Sequence, residues 1–153
     1  AASDVYKRQS MISLGNGSNE LLELIARVFV SKQSDEVIFS QYAFVVYPLV
    51  TQALGATAIV SPANNFGHDL NAMLSLITNQ TKLVFVANPN NPTGTLLSDE
   101  EVYKFLKQVP SHIPVVLDQA YFEYLNIELE RIQKERKDMK ETLQIYIQIL
   151  FCS

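Results

Sequence analysis

Two patterns of apolar residues alternate along the chain. Short, near-continuous apolar runs such as EVIFS, LVFVA and IPVVLD are typical of strands that are buried on both faces of a sheet. The predicted strands are residues 36–40, 56–60, 83–87 and 113–118. Between them, apolar residues recur every three or four positions, which indicates amphipathic helices.

Residues that favour helix ends support these helices. Ser18 or Asn19 is predicted to cap the first helix, and Gly55 lies where the second should end. Asp69 is predicted to cap the third helix, and Ser98 with Glu101 has the spacing of a capping box at the fourth. The predicted helices are residues 18–30, 47–54, 70–77 and 98–108.

This alternation predicts an α/β fold with a mainly parallel sheet and helices on both faces. In such sheets ligands bind at the carboxyl ends of the strands, but the pattern does not give the strand order. Residues 1–11 show no periodicity. After Asn126 the alternation stops, and the charged stretch with an apolar end is predicted to be helical, bringing no further strand.

Composition narrows the function classes. The chain has 153 residues, 48% hydrophobic and 18% charged, so a sizeable core is expected and wholesale disorder is not. A net charge of −4 argues against a general nucleic-acid surface. The one cysteine, Cys152, permits no internal disulfide, and the apolar runs are too short to cross a bilayer, so we expect a soluble cytoplasmic protein. His68 and His112 lack spaced partners, so no metal site is predicted.

Two candidate binding segments precede or follow the first predicted strand. GNGSNE, residues 15–20, opens a helix, and glycines with free N–H groups at a helix start suit a phosphate. The alternative is a simple glycine turn with a serine cap. SQYAFVVYP, residues 40–48, brings aromatic rings to a strand end, where one ring could stack on a flat ligand. The alternative is that Phe44 and Tyr47 are ordinary core residues.

Two further segments follow later strands. NPNNPTG, residues 88–94, has more amides and prolines than a turn needs, and Asn91 before Pro92 could donate to a ligand oxygen. Asp118 directly follows a buried strand, where an acid is costly without a partner, and a cationic nitrogen would be one. Tyr121 could present its hydroxyl to the same pocket. The alternatives are a proline-rich turn and a surface or capping acid.

Taken in order, these segments resemble the fold-type I, pyridoxal-phosphate-dependent aminotransferases. The resemblance rests on GNGSNELLELIARVF, DEVIFSQYAFVVYPLVTQALGA, VFVANPNNPTGT and VVLDQAYFEY, and covers about residues 12–126. SQYAFVVYPLV resembles the histidinol-phosphate aminotransferase branch in particular. The implied organisation is a non-family stretch at 1–11, a partial cofactor-binding large domain at 12–127 and a non-family tail at 128–153.

The resemblance implies a role for each candidate residue. Asp118 would pair with the pyridine nitrogen of pyridoxal 5′-phosphate and keep it protonated, which allows the ring to act as an electron sink. Asn91 and Tyr121 would donate to its phenolic oxygen, and Phe44 would stack on its ring. Backbone N–H groups at Ser18, Asn19 and Glu20 would hold its phosphate.

The implied reaction is transamination between histidinol phosphate and 2-oxoglutarate, giving imidazole acetol phosphate and glutamate in histidine biosynthesis. Small-molecule substrates, no nucleic acid, no membrane and a homodimeric full-length protein are implied as well. The family's Schiff-base lysine follows a later strand in an S-x-x-K-type segment, and none of the eight lysines lies in that context. We therefore expect these 153 residues alone to be an inactive fragment, with no catalytic lysine to assign.

Two other interpretations stay open. Another class I or II aminotransferase, or a threonine-phosphate-type decarboxylase, would share the same motifs and differ in substrate. A non-catalytic binding or interaction protein could reuse the sheet, with the tail as a partner helix.

Overall fold

A computed structural model of the chain describes residues 13–121 and the backbone of 144–147. Its helices are α1 (Gly17–Phe29), α2 (Val46–Ala53), α3 (Leu70–Ser75) and α4 (Asp99–Gln108). Its strands are β1 (Glu36–Ser40), β2 (Thr57–Ser61), β3 (Ala63–Asn64), β4 (Gly67–His68), β5 (Thr81–Ala87), β6 (Val115–Asp118) and β7 (Gln144–Ile147).

Five strands form one parallel sheet in the order β2-β1-β5-β6-β7, and β3 and β4 form a small antiparallel hairpin beside it. The chain runs outward from β1 to β2 and then returns to the other side of β1 with β5. This reversal opens a crevice at the carboxyl ends of β1 and β5, the place where ligands bind in open α/β sheets.

Alternation along the buried strands produces two cores, one on each face of the sheet. Phe39, Phe85 and Val116 face α1 and α2, and Ile38 and Val86 face α3 and α4. The predicted α/β fold with a mainly parallel sheet and helices on both faces is therefore confirmed.

The helix ends test the capping predictions. Asp69 caps α3 by accepting from the Ala72 N–H at 2.9 Å, and Gly55 ends the α2 region with a φ of +69°. The cap predicted at Ser18 or Asn19 is wrong, because α1 begins at Gly17 and its N-cap residue Asn16 makes no side-chain capping bond. That helix start therefore keeps backbone N–H groups that no side chain satisfies.

The predicted capping box at α4 is confirmed and yields a stability prediction. The Ser98 hydroxyl accepts from the Glu101 N–H at 3.3 Å, and the Glu101 carboxylate accepts from the Ser98 N–H at 2.8 Å. Ser98→Ala should lower the free energy of unfolding by about 1 kcal/mol, measured by urea denaturation. Ser98→Thr keeps the capping oxygen, so an equal loss in both variants would contradict the prediction.

The predicted helical end of the chain is wrong for four residues. Gln144–Ile147 form a strand parallel to β6, with Ile147 opposite Asp118. Two isoleucines and a tyrosine in this segment favour an extended chain, and the exposed edge of β6 supplies hydrogen bonds that a helix would not use. The other residues of 128–153, and residues 1–11, lie outside the described part, so the proposed domain limits stay a prediction.

Candidate functional site

Five of the seven predicted site residues lie around one cavity at the carboxyl edge of the sheet. Its lining includes Ser18, Phe44, Asn91, Asp118 and Tyr121. They come from the start of α1, the segment after β1, the loop after β5, the end of β6 and the segment after it. The water-accessible space between them is about 30 Å³, room for about two water molecules, so they form a wall for a ligand and do not surround it.

The other two predicted residues do not line this cavity. Asn19 and Glu20 are exposed. The Glu20 carboxylate folds back and accepts a hydrogen bond from the Asn16 N–H. A carboxylate offers no hydrogen-bond donor, so Glu20 could serve an anion only through its backbone N–H group.

Asp118 is a buried acid at the end of β6, only 4% exposed. The Tyr47 hydroxyl donates to its Oδ2 at 2.8 Å and the Ala120 N–H donates to its Oδ1 at 3.1 Å. Burial raises the pKa of the Asp118 carboxyl, and these two hydrogen bonds partly oppose that rise. Within the described residues no lysine or arginine forms an ion pair with Asp118. A cationic ligand nitrogen would supply the missing partner.

Asn91 and Tyr121 converge at the same place. The Asn91 Nδ2 donates to the Tyr121 hydroxyl oxygen at 3.3 Å, although the two residues are 30 positions apart in the chain. Two hydrogen-bond donors that meet in this way can share one ligand oxygen. Phe44 is half-buried in the same cavity and offers an aromatic ring.

The run of amides before the site divides into supporting and facing residues. Asn88 is buried, and its side chain pairs with the backbone of Leu97 twice, accepting from its N–H at 2.8 Å and donating to its carbonyl at 3.1 Å. Asn90 is also buried and donates to the Tyr42 carbonyl at 3.0 Å and to the Thr93 hydroxyl at 2.8 Å. Both prolyl bonds of the run are cis. Only Asn91 of the three asparagines lines the cavity.

Sequence reasoning missed Tyr47, which it treated as one of two possible core residues. The ring is indeed in the core, but its hydroxyl bonds the central acid of the site. The sequence did offer one indication, because the hydroxyl of a buried tyrosine needs a polar partner. Asp118, at the end of the apolar sequence VVLD, was a candidate for that partner.

His68, for which the sequence predicts no metal-binding role, contacts the edge of the site through the backbone. Its Nε2 hydrogen-bonds the Ala87 carbonyl at 2.8 Å, at the end of β5. Burial lowers the pKa of the ring, which agrees with a neutral imidazole.

No group of three potential metal ligands occurs among the residues that the structure describes. In that same part of the chain, no helix has the length and apolar character needed to cross a membrane.

Asp118 gives a prediction for the pH dependence of stability. Its pKa is higher in the folded state than the unfolded value near 3.9, so between these two values the folded state binds more protons. The native chain therefore gains stability as pH falls through that window. Above the window, Asp118→Asn should be more stable than the native chain by about 1.4 kcal/mol for each unit by which folding raises the pKa of Asp118. At lower pH the two chains should become equally stable, as urea denaturation at a series of pH values would show.

Asp35 provides a control for this measurement, because its effect on the pH dependence of stability should have the opposite sign. Backbone hydrogen bonds from Ser31 and Lys32 lower the pKa of this carboxyl. Its contribution to stability is present above the unfolded pKa and is lost as pH falls towards the folded value. Asp35→Asn should therefore be less stable than the native chain at neutral pH. Equal pH profiles for the two variants would contradict both assignments.

The amino-acid sequence matches the family model for aminotransferase class I and II over residues 3–149. Histidinol-phosphate aminotransferase 1 of Idiomarina loihiensis is 60% identical over 114 residues, which are 74% of this chain and 31% of that protein. Histidinol-phosphate aminotransferase 2 of Pasteurella multocida is 51% identical over 141 residues, 92% of this chain and 37% of that protein. The chain thus spans 31% and 37% of the length of these two relatives.

Solved structures agree with the sequence match. A histidinol-phosphate aminotransferase from Sinorhizobium meliloti in complex with pyridoxal-5′-phosphate has a TM-score of 0.68 and 29% identity, covering 71% of this chain and 30% of that one. The enzyme of the same name from Clostridium acetobutylicum has a TM-score of 0.74 over 89% of this chain and 39% of that one. At 23% identity the second likeness shows the fold alone.

Proposed function

The chain belongs to the class I and II aminotransferases, and on that premise we propose that its described residues form one wall of a pyridoxal 5′-phosphate site. The observation that carries the proposal is the buried carboxylate of Asp118, which forms no ion pair with any described residue, beside two converging donors and an aromatic ring. A flat cationic ring with a phenolic oxygen complements this set of groups. When bound, this cofactor supplies an electron sink for the carbon that loses a proton.

The proposed roles of the individual residues follow from their chemistry. Asp118 would accept the hydrogen bond of the protonated ring nitrogen, and its burial would strengthen that charged pair. Asn91 and Tyr121 would donate to the phenolic oxygen and hold the ring in its plane. Phe44 would cover one face of the ring and exclude water from it.

The start of α1 is proposed to hold the phosphate. Ser18 lines the cavity in the first turn of α1, whose N-cap residue makes no side-chain capping bond, so backbone N–H groups of that turn could donate to an anion. Gly17 has a φ of +81°, a conformation that favours glycine and turns the chain sharply into the helix. Asn19 and Glu20 would contribute through their backbone N–H groups only.

We propose that the longer protein of which such a segment forms part transaminates histidinol phosphate with 2-oxoglutarate, as a cytoplasmic homodimer. Support comes from relatives with this name at 51% and 60% identity. Another aminotransferase or a threonine-phosphate-type decarboxylase remains the alternative. Assays of that longer protein with histidinol phosphate and with other amino donors would separate them. The proposed substrate would be refuted if the protein did not prefer histidinol phosphate.

Binding of pyridoxamine 5′-phosphate tests the site in this chain, because this form of the cofactor needs no lysine. Isothermal titration should show saturable binding of one molecule per chain, and inorganic phosphate should compete. Asn91→Ala should weaken binding, whereas Asn79→Ala should not. Asn79 precedes β5 and therefore lies at the amino edge of the sheet, opposite the edge that holds the cavity. Equal affinity in the native chain and Asn91→Ala would contradict the proposed site.

The expected lack of activity of these 153 residues has its own test. Borohydride reduction with pyridoxal 5′-phosphate, followed by peptide mapping, should label no single lysine stoichiometrically. Stoichiometric labelling of one lysine would refute the expectation. A long read of the gene beyond the codon for Asn126 would show whether an S-x-x-K segment follows a further strand.

A further inference from the structure

Tyr47 contacts two different parts of the candidate site. Its hydroxyl donates to Asp118 Oδ2 at 2.8 Å, and its ring meets the ring of Phe44 edge-on, with centroids 6.0 Å apart and planes at 90°. Asp118 and Phe44 both line the cavity, whereas Tyr47 lies behind them and is fully buried. One side chain therefore touches both the acid and the aromatic ring.

Tyr47 is itself held from several directions. Its ring stacks on Phe85 with a centroid distance of 4.6 Å and parallel planes. Its backbone lies in α2, where its carbonyl accepts from the Thr51 hydroxyl at 2.8 Å. A buried, stacked ring has little freedom to move, so its hydroxyl oxygen is a fixed point.

The Asp118 carboxylate is fixed at both oxygens. Tyr47 holds Oδ2, and the Ala120 N–H holds Oδ1 at 3.1 Å. Rotation of the carboxylate would break both bonds. Each oxygen keeps a lone pair, so the group can still accept a hydrogen bond from a ligand in the cavity.

We propose that Tyr47 is a positioning residue that fixes the Asp118 carboxylate and the Phe44 ring relative to each other for a planar, cationic ring. The ring would present its edge to Asp118 and its face to Phe44. The proposal rests on the proposed function for the nature of that ring. The geometric part concerns the chain alone and is tested without a ligand.

Tyr47→Phe is the test variant, because it keeps the stacked ring and removes only the hydroxyl. Tyr103→Phe is the matched control, since Tyr103 lies partly exposed on α4 at the opposite face of the sheet. The first readout is the ¹³C NMR titration of the Asp118 carboxyl in the unliganded 153-residue chain, assigned with Asp118→Asn. The titratable groups at the cavity are Asp118 and Tyr121, with Tyr47 behind them.

We expect Asp118 to titrate at a higher pH in Tyr47→Phe, because the charged form loses a donor while staying buried. Affinity for pyridoxamine 5′-phosphate at neutral pH should fall about tenfold, the effect of one hydrogen bond to a charged group. Tyr103→Phe should change neither quantity. An unchanged Asp118 titration in Tyr47→Phe would overturn the positioning role, whatever happens to ligand affinity.

A second measurement keeps the proposal testable if Tyr47→Phe does not fold. In the native chain the ¹³Cζ resonance of Tyr47 should follow the titration of Asp118, and in Asp118→Asn it should not. A Tyr47 resonance that ignores the Asp118 titration would overturn the proposal. Failure of the native chain to bind pyridoxamine 5′-phosphate at any pH would instead refute the proposed function.

Discussion

Replacement of Phe85 by alanine is expected to lower the free energy of unfolding by about 3–5 kcal/mol, the usual cost of removing a buried aromatic ring. Phe85 lies in the middle of β5, is fully buried and stacks on Tyr47. Its loss would leave a cavity between β5 and α2. Urea denaturation of the native chain and the variant measures the difference.

Phe66→Ala is the control for this prediction. Phe66 is 64% exposed and touches Tyr42 at 5.4 Å between ring centroids, so its replacement should cost much less. Similar losses in the two variants would contradict the core that the structure assigns. Phe85→Ala also removes the ring on which Tyr47 stacks, so the Tyr47 hydroxyl should be held less firmly. The pH at which Asp118 titrates should therefore change in this variant, together with the free energy of unfolding.

Asp118→Asn is expected to weaken binding of pyridoxamine 5′-phosphate by about 100-fold, measured by isothermal titration at neutral pH. A neutral amide cannot hold the ring nitrogen in its protonated form. The variant keeps the volume and the burial of the native side chain, and its folded state should be at least as stable at that pH. The loss would therefore be specific to the ligand.

Asp35→Asn is a suitable control here too, because Asp35 is also little exposed and directly precedes β1, at the edge of the sheet opposite the cavity. It should leave affinity unchanged at a pH where the variant is folded. Equal losses in Asp118→Asn and Asp35→Asn would indicate a general effect of destabilisation and would contradict the pairing of Asp118 with the ring nitrogen.

Much of the fold was predictable because the strands are buried on both faces. Near-continuous apolar runs located β1, β5 and β6, and the alternation with helices implied a parallel sheet. The strand order was not predictable, because periodicity describes one element at a time and pairing depends on the whole sheet. The strand Gln144–Ile147 was missed because a short apolar segment suits a helix or a strand equally, and only pairing with β6 decides.

The site was predictable to the extent that its residues follow strand ends. Phe44 and Asn91 come shortly after a strand and Asp118 is the last residue of one, and parallel strands bring such residues to one edge. The residue type of Tyr47 indicated only that its buried hydroxyl needs a polar partner, and the sequence did not show that this partner is Asp118, which lies 71 positions away. The uncapped start of α1 was missed as well, since the presence of Ser18 does not determine where the helix begins.

The pairing of the Asn88 side chain with Leu97 has a consequence for the thermodynamics of ligand capture. The Asn88 side chain bonds both the N–H and the carbonyl of Leu97, as the backbone of a neighbouring strand would, and so joins the two ends of the loop from residue 88 to 97. The conformational entropy of that loop is lost when the chain folds, before any ligand arrives. Binding then avoids an ordering cost of about 0.5–1.5 kcal/mol for each side chain already fixed, so Asn91 meets its ligand preorganised.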